Sequence, residues 1–195
     1  MKKFLAWILA GTLMFGVVGC QKKPESQGSA SGQEENQGVK VKDSLEILKT
    51  IWELYEEEEK FPAMGGGYNQ MVENAPGKID VTDTESLQSL LILPEEDISL
   101  IDDAASMIHA MNANTFTSGA FRVKEKGDVK AFTESLKEAI LNNQWMCGFP
   151  EKLMVIQVGE QYVVSAFGNA DILKNFETRL KEAYPGAKVT VEESL

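Results

Sequence analysis

Catalytic chemistry in this chain of 195 residues would have to be built from few reactive side chains: Cys20 and Cys147, the single histidine His109, and a surplus of carboxylates. A thiol nucleophile needs a neighbouring base, and zinc needs clustered histidine, cysteine or carboxylate ligands. His109 and Cys147 lie far apart in sequence, so His109 reads as a strand histidine and no metal ligand set is expected. Ser-His-Asp hydrolysis would rest on the same imidazole, and no G-x-S-x-G is present; Gly28-Ser29-Ala30-Ser31-Gly32 puts alanine where the nucleophile belongs. Asp80, Asp83 and Glu85 are close enough to suggest oxygen ligands for calcium, but lack the glycine and distal glutamate of an EF-hand loop, and read instead as helix caps. Asp102 and Asp103 are a carboxylate pair that nothing in the sequence makes converge on one substrate atom. The expectation is a protein with no catalytic set and no cofactor; the alternative is an envelope enzyme, thiol-dependent or hydrolytic, using Cys147 or His109.

The specific motif lies at the start. Lys2 and Lys3 precede an apolar run, Phe4 to Val18, that is too short to cross a hydrocarbon core of roughly 30 Å comfortably, as in an export signal. It closes with Val17-Val18-Gly19-Cys20, which resembles the bacterial lipobox. That resemblance implies a diacylglycerol thioether on Cys20, cleavage between Gly19 and Cys20, and a location on the extracytoplasmic face of the cell membrane. Residues 20–42 then read as a tether. Gln21 to Gly38 contains a single apolar side chain, Ala30, too little to offset the entropy of ordering, and its root-mean-square reach is about 20 to 25 Å.

Nineteen basic residues face thirty acidic ones, a formal charge of −11 with a pI near 4.7. A nucleic-acid partner is excluded by that balance, because such binding rests on Lys and Arg releasing counterions. With Cys20 lipidated no intramolecular disulfide can form, and Trp145, Met146 and Phe149 around Cys147 argue for a buried thiol.

Any site must be held by the elements that hydropathy patterning predicts for residues 43–195, read as one α+β domain with a helical and loop part at 43–100 and a sheet core at 101–195. Leu45, Leu48, Trp52 and Tyr55 predict a helix from Asp43 to Lys60 that ends in the carboxylate run Glu56 to Glu59. Residues 61–81, rich in Gly and Pro, read as a loop, and Thr82-x-x-Glu85 reads as a capping box. Residues 103–114 fit a helix by alanine content and a strand by the alternation of Met107, His109 and Met111; the strand, with a partly exposed methionine face, is the preferred reading. Strand 118–124, helix 128–143, strands 153–158 and 161–167, helix 170–184 and strand 187–192 follow, with Val189 and Val191 both inward. This βαββαβ order predicts a ferredoxin-like core: an antiparallel sheet with helices on one face, preceded by an N-terminal helical segment.

The loop Trp145-Met146-Cys147-Gly148-Phe149-Pro150 is the remaining feature. Large apolar residues there either plug the core or present a recognition surface, for which Trp145, Phe149 and Tyr162 are the candidates. Together, the lipobox, the tether, Leu93-Pro94-Glu95-Glu96-Asp97, the methionines at 107 and 111, Phe121-Arg122-Val123 and Gly159-x-Gln161-Tyr162-Val163 resemble families of small Gram-positive lipoproteins classed as domains of unknown function. The resemblance spans roughly residues 94–167 and implies an α+β fold outside the cytoplasm, with no activity or site residues to carry over. The functional expectation is a membrane-anchored binding or accessory module of the cell envelope whose partner is an envelope protein or a small ligand.

Overall fold

The computed structural model describes residues 40–111, 114–124 and 127–195, all within the unit Asn36–Leu195. The leader, Gly19, Cys20 and the tether up to residue 39 lie outside the described residues. Among the described residues no helix is long and apolar enough to cross a membrane.

Helix α1 (Ser44–Glu53) is capped by Asp43, whose carboxylate accepts the Glu46 amide at 2.8 Å, and buries Ile47, Leu48, Ile51 and Trp52. It stops well short of Lys60. Another turn would place Glu56 to Glu59 at the negative end of the helix dipole; instead the chain turns, and Glu59 accepts the Arg179 guanidinium at 2.7 Å.

The stretch 61–81, expected to be a loop, forms three strands: β1 (Ala63–Gly67), β2 (Gln70–Glu73) and β3 (Gly77–Ile79). Both β1 and β3 pair with the same edge of β4 (Ile101–His109), at His109 and Ile108 and at Ser106 to Ala104 respectively. They approach so closely that a Cβ on Gly65 would lie 2.0 Å from the Gly77 nitrogen. Helix α2 (Thr84–Leu91) follows, capped by Asp83 rather than Thr82, and then the short α3 (Glu95–Ile98). Ile92 ends α2 with φ 57° and ψ 30°, a left-handed conformation that costs a β-branched residue about 1–2 kcal/mol.

The C-terminal half runs β5 (Phe116–Val123), α4 (Val129–Leu141), β6 (Lys152–Val158), β7 (Tyr162–Gly168), α5 (Ala170–Ala183) and β8 (Lys188–Ser194), each close to its predicted bounds. The protein is α+β with an eight-stranded antiparallel sheet in the order β2-β1-β4-β5-β7-β6-β8, β3 standing beside β4. The ferredoxin-like order requires β8 beside β5, but β4 occupies that edge, and β8 pairs with β6 instead. This shift decides where the helices lie. The crossovers β5–α4–β6 and β7–α5–β8 now step across the sheet in the same direction from strands that point in opposite directions. Right-handed connections therefore put α4 and α5 on opposite faces, not on one.

Two cores result. One packs α1 and α5, through Ile47, Ile51, Leu173 and Phe176, against Met107, Ile156 and Val164. The other packs α2 and α4, through Leu87, Leu91, Phe132 and Leu136, against Phe121, Val155 and Val163. A bulge opposite Val155 and Ile156 loops out Thr190, so Val189 joins the first core and Val191 the second rather than sharing a face. Met107 is buried, so the strand presents no exposed methionine face; Met111, just beyond it, is exposed.

Asp102 and Asp103 also part company. Asp102 pairs with Arg122 at 2.6 Å on the surface, whereas Asp103, 3% exposed, accepts the Ser44 amide at 2.6 Å and the Lys78 ammonium at 2.7 Å. They form no acid-base pair; Asp103 fastens α1 and β3 to β4. Burial raises the proton affinity of Asp103, but Lys78 and Ser44 outweigh it and hold the carboxyl below the usual range. A carboxyl lowered on folding contributes stability that is complete above about pH 4 and lost as pH falls through the folded-state value. Asp103→Asn is therefore expected to cost about 1–3 kcal/mol at pH 7, with a smaller penalty at pH 3, measured as urea-unfolding free energies at the two pH values; an equal penalty at both would remove the ion pair from the account.

Candidate functional site

The sheet has two unlike ends. At one, Tyr162 opens β7 opposite Arg122 and Val158, and its hydroxyl donates to the Val41 carbonyl at 3.3 Å. The N-terminal segment therefore joins the domain here. At the other, β4 ends at His109, β5 begins at Phe116, β7 ends at Gly168 and β6 begins at Lys152. Six residue steps of β7 separate the ends, about 20 Å. Exposed apolar side chains gather at this far end: Met111, Met146 at 89% exposure, Phe149 at 72%, and Leu195. The other exposed large apolar residues, Tyr68, Met71 and Val72, flank the β1–β2 turn and the outer edge strand β2.

Beneath this apolar end lies a cleft of about 250 Å³. Its floor is the sheet at Ile108, Thr117 and Phe167, and its walls are the end of α2, with Leu90 and Ile92, and Trp145 of the α4–β6 loop. Trp145 is held by Phe167, their ring centres 5.2 Å apart. Cys147 and His109 lie on the rim, so the fold brings together two groups that sequence separation set apart.

The chemistry of the rim follows from its hydrogen bonds. The His109 ring stacks on Phe61 at 4.8 Å with an 11° tilt, and its Nδ1 accepts the Met111 amide at 3.0 Å. Burial, the largest influence, lowers its proton affinity. The imidazole is thus neutral at pH 7 with its proton on Nε2, a hydrogen-bond donor rather than a base in this state. The Cys147 thiol is exposed, contrary to its apolar neighbourhood, because only Trp145 of that loop finds an aromatic partner while Met146 and Phe149 point to solvent.

Of the three binding candidates, Trp145 and Phe149 share the loop, with Trp145 half-buried as part of the plug. Tyr162 is buried at the opposite end and joins no site with them. Asp80 accepts Thr82, and Asp83 accepts Ser86 and Asn69, as caps and turn bonds; among the described residues no group of three or more His, Cys, Asp or Glu could hold a metal ion. Thr117, Leu90 and Ile92 went unrecognised in the sequence, since a threonine in a strand and a leucine in a helix carry no signal that a cleft opens over them. No family model, curated protein or solved structure matches the chain.

Proposed function

We propose that the protein is a lipid-anchored binding module of the cell envelope, held through Cys20 on the extracytoplasmic face of the membrane, with its far sheet end directed toward a protein partner. The lipobox at 17–20 and the polar tether support the anchor. One observation carries the orientation: the chain enters the domain beside Tyr162, whereas exposed Met146, Phe149 and Met111 sit about 20 Å away at the opposite end. Apolar side chains exposed together on a strongly acidic domain mark an interaction surface, and a tether attached behind them leaves that surface free.

The reading is tested in intact cells with a photo-cross-linking residue in place of Phe149, in chains with Cys20 and with Cys20→Ala. A discrete adduct that needs Cys20, together with an acylated N-terminal cysteine by mass spectrometry, is expected. An unmodified first residue, or adducts independent of Cys20, would overturn it.

A second reading, an envelope enzyme, is favoured by the shared cleft of Cys147 and His109. Turnover abolished by Cys147→Ser would establish it. Against thiol activation stands the occupancy of both ring nitrogens of His109, Nδ1 by the Met111 amide and Nε2 by the proton, which leaves no lone pair to accept the thiol proton.

A further inference from the structure

We propose that the cleft between the end of α2 and the α4–β6 loop binds a small uncharged molecule carrying one or two rings and a hydrogen-bond acceptor such as a carbonyl. Size sets the first limit: the cleft, open on one side, holds about 250 Å³, and an apolar cavity of about 150 Å³ suffices for benzene. The apolar body would lie against Ile108, Phe167, Leu90, Ile92 and Trp145.

One polar side chain lines the cleft while more than nine-tenths buried, Thr117 at 8% exposure. Among the described residues nothing hydrogen-bonds the Thr117 hydroxyl, whereas Ser106, Ser118 and Thr190 on the same sheet each donate to a carbonyl. A ligand acceptor would satisfy a donor that otherwise has water alone.

Charge sets the last limit. No Asp, Glu, Lys or Arg lines the cleft. An anion would meet the carbonyl end of α2 and the field of an acidic protein, and a cation would give up its hydration without a carboxylate to replace it. A neutral ligand remains.

The experiment uses the full chain with Cys20→Ala and follows the indole N–H resonances of Trp52 and Trp145 by NMR. Acetophenone is expected to move Trp145 saturably and leave Trp52, in the opposite core, in place. Ethylbenzene, which lacks the acceptor, should bind about five- to tenfold more weakly, as should acetophenone to Thr117→Val. Cys147→Trp, filling the rim, should abolish binding, with the Trp52 resonance reporting an intact fold in each variant. No saturable shift with acetophenone, equal binding of benzoate, or affinities indifferent to both Thr117→Val and the missing carbonyl would overturn the proposal. The chain tested carries no lipid on residue 20 and no partner, so the outcome is independent of the cross-linking result above.

Discussion

Phe132→Ala and Phe176→Ala are each expected to lower the free energy of unfolding by about 3–5 kcal/mol, and the double variant by the sum of the two. Both rings are fully buried, and each anchors one helix: Phe132 packs on Phe121 with ring centres 5.6 Å apart, Phe176 on Phe116 at 5.4 Å. Removing either leaves a cavity that the surrounding strands can close only in part. The two belong to different cores with the sheet between them, so neither cavity can relax into the other. Were α4 and α5 neighbours on one face, as the ferredoxin-like arrangement requires, the two losses would couple. Urea unfolding of the two single variants and the double variant decides this: an interaction energy beyond about 0.5 kcal/mol would contradict helices on opposite faces.

Gly65→Ala is expected to cost at least about 3 kcal/mol, far more than a methyl group usually does on a strand. Its Cβ would lie 2.0 Å from the Gly77 nitrogen and 2.4 Å from the Pro76 carbonyl carbon, atoms of a backbone that β4 pairing holds in place. No rotamer relieves a clash made at Cβ. Gly159→Ala is the control. At Gly159 φ is +63° and no atom lies within 4 Å of the added Cβ, so only the left-handed penalty of about 1–2 kcal/mol applies. Thermal or urea unfolding of the two variants gives the ranking, and hydrogen exchange shows where the damage falls. Loss of protection confined to β1, β2 and β3 is expected; equal costs at the two glycines would mean that β1 and β3 do not approach as described.

What the sequence made legible was local. Val129, Phe132, Leu136 and Ile140 mark one face of α4, and Leu173, Phe176 and Leu180 mark α5, because surface helices advertise their buried stripe. Gly159-Glu160 between two apolar runs located the β6–β7 turn, while alternation at Met107 and His109 favoured a strand at β4 against an alanine content that fits a helix. What stayed hidden was decided by contacts between segments distant in the chain. Ala63-Met64-Gly65-Gly66-Gly67 has no side-chain pattern to read as a strand; it becomes one because glycines let its backbone lie against Gly77. The sidedness of the sheet was hidden for a related reason. Strands covered on both faces, such as β7 with every residue buried, lose the alternation that would show which way a helix packs. At the site, Trp145 and Phe149 were recognisable by type and Tyr162 was misplaced, since a tyrosine beside a turn looks alike whichever end of the sheet the turn occupies. Only the folded arrangement sets His109 and Cys147 around Thr117.

The interleaving of the two crossovers has a consequence for how the chain matures. Strand β8, the eighth in chain order, takes its place beside β6 across the whole of β7 and α5, so a chain synthesised N-terminus first keeps the β6 edge unpaired until residues 188–194 arrive. Contacts this distant in sequence close slowly. The sheet is therefore finished only when this strand is in place, and until then β6 holds an open, adhesive border.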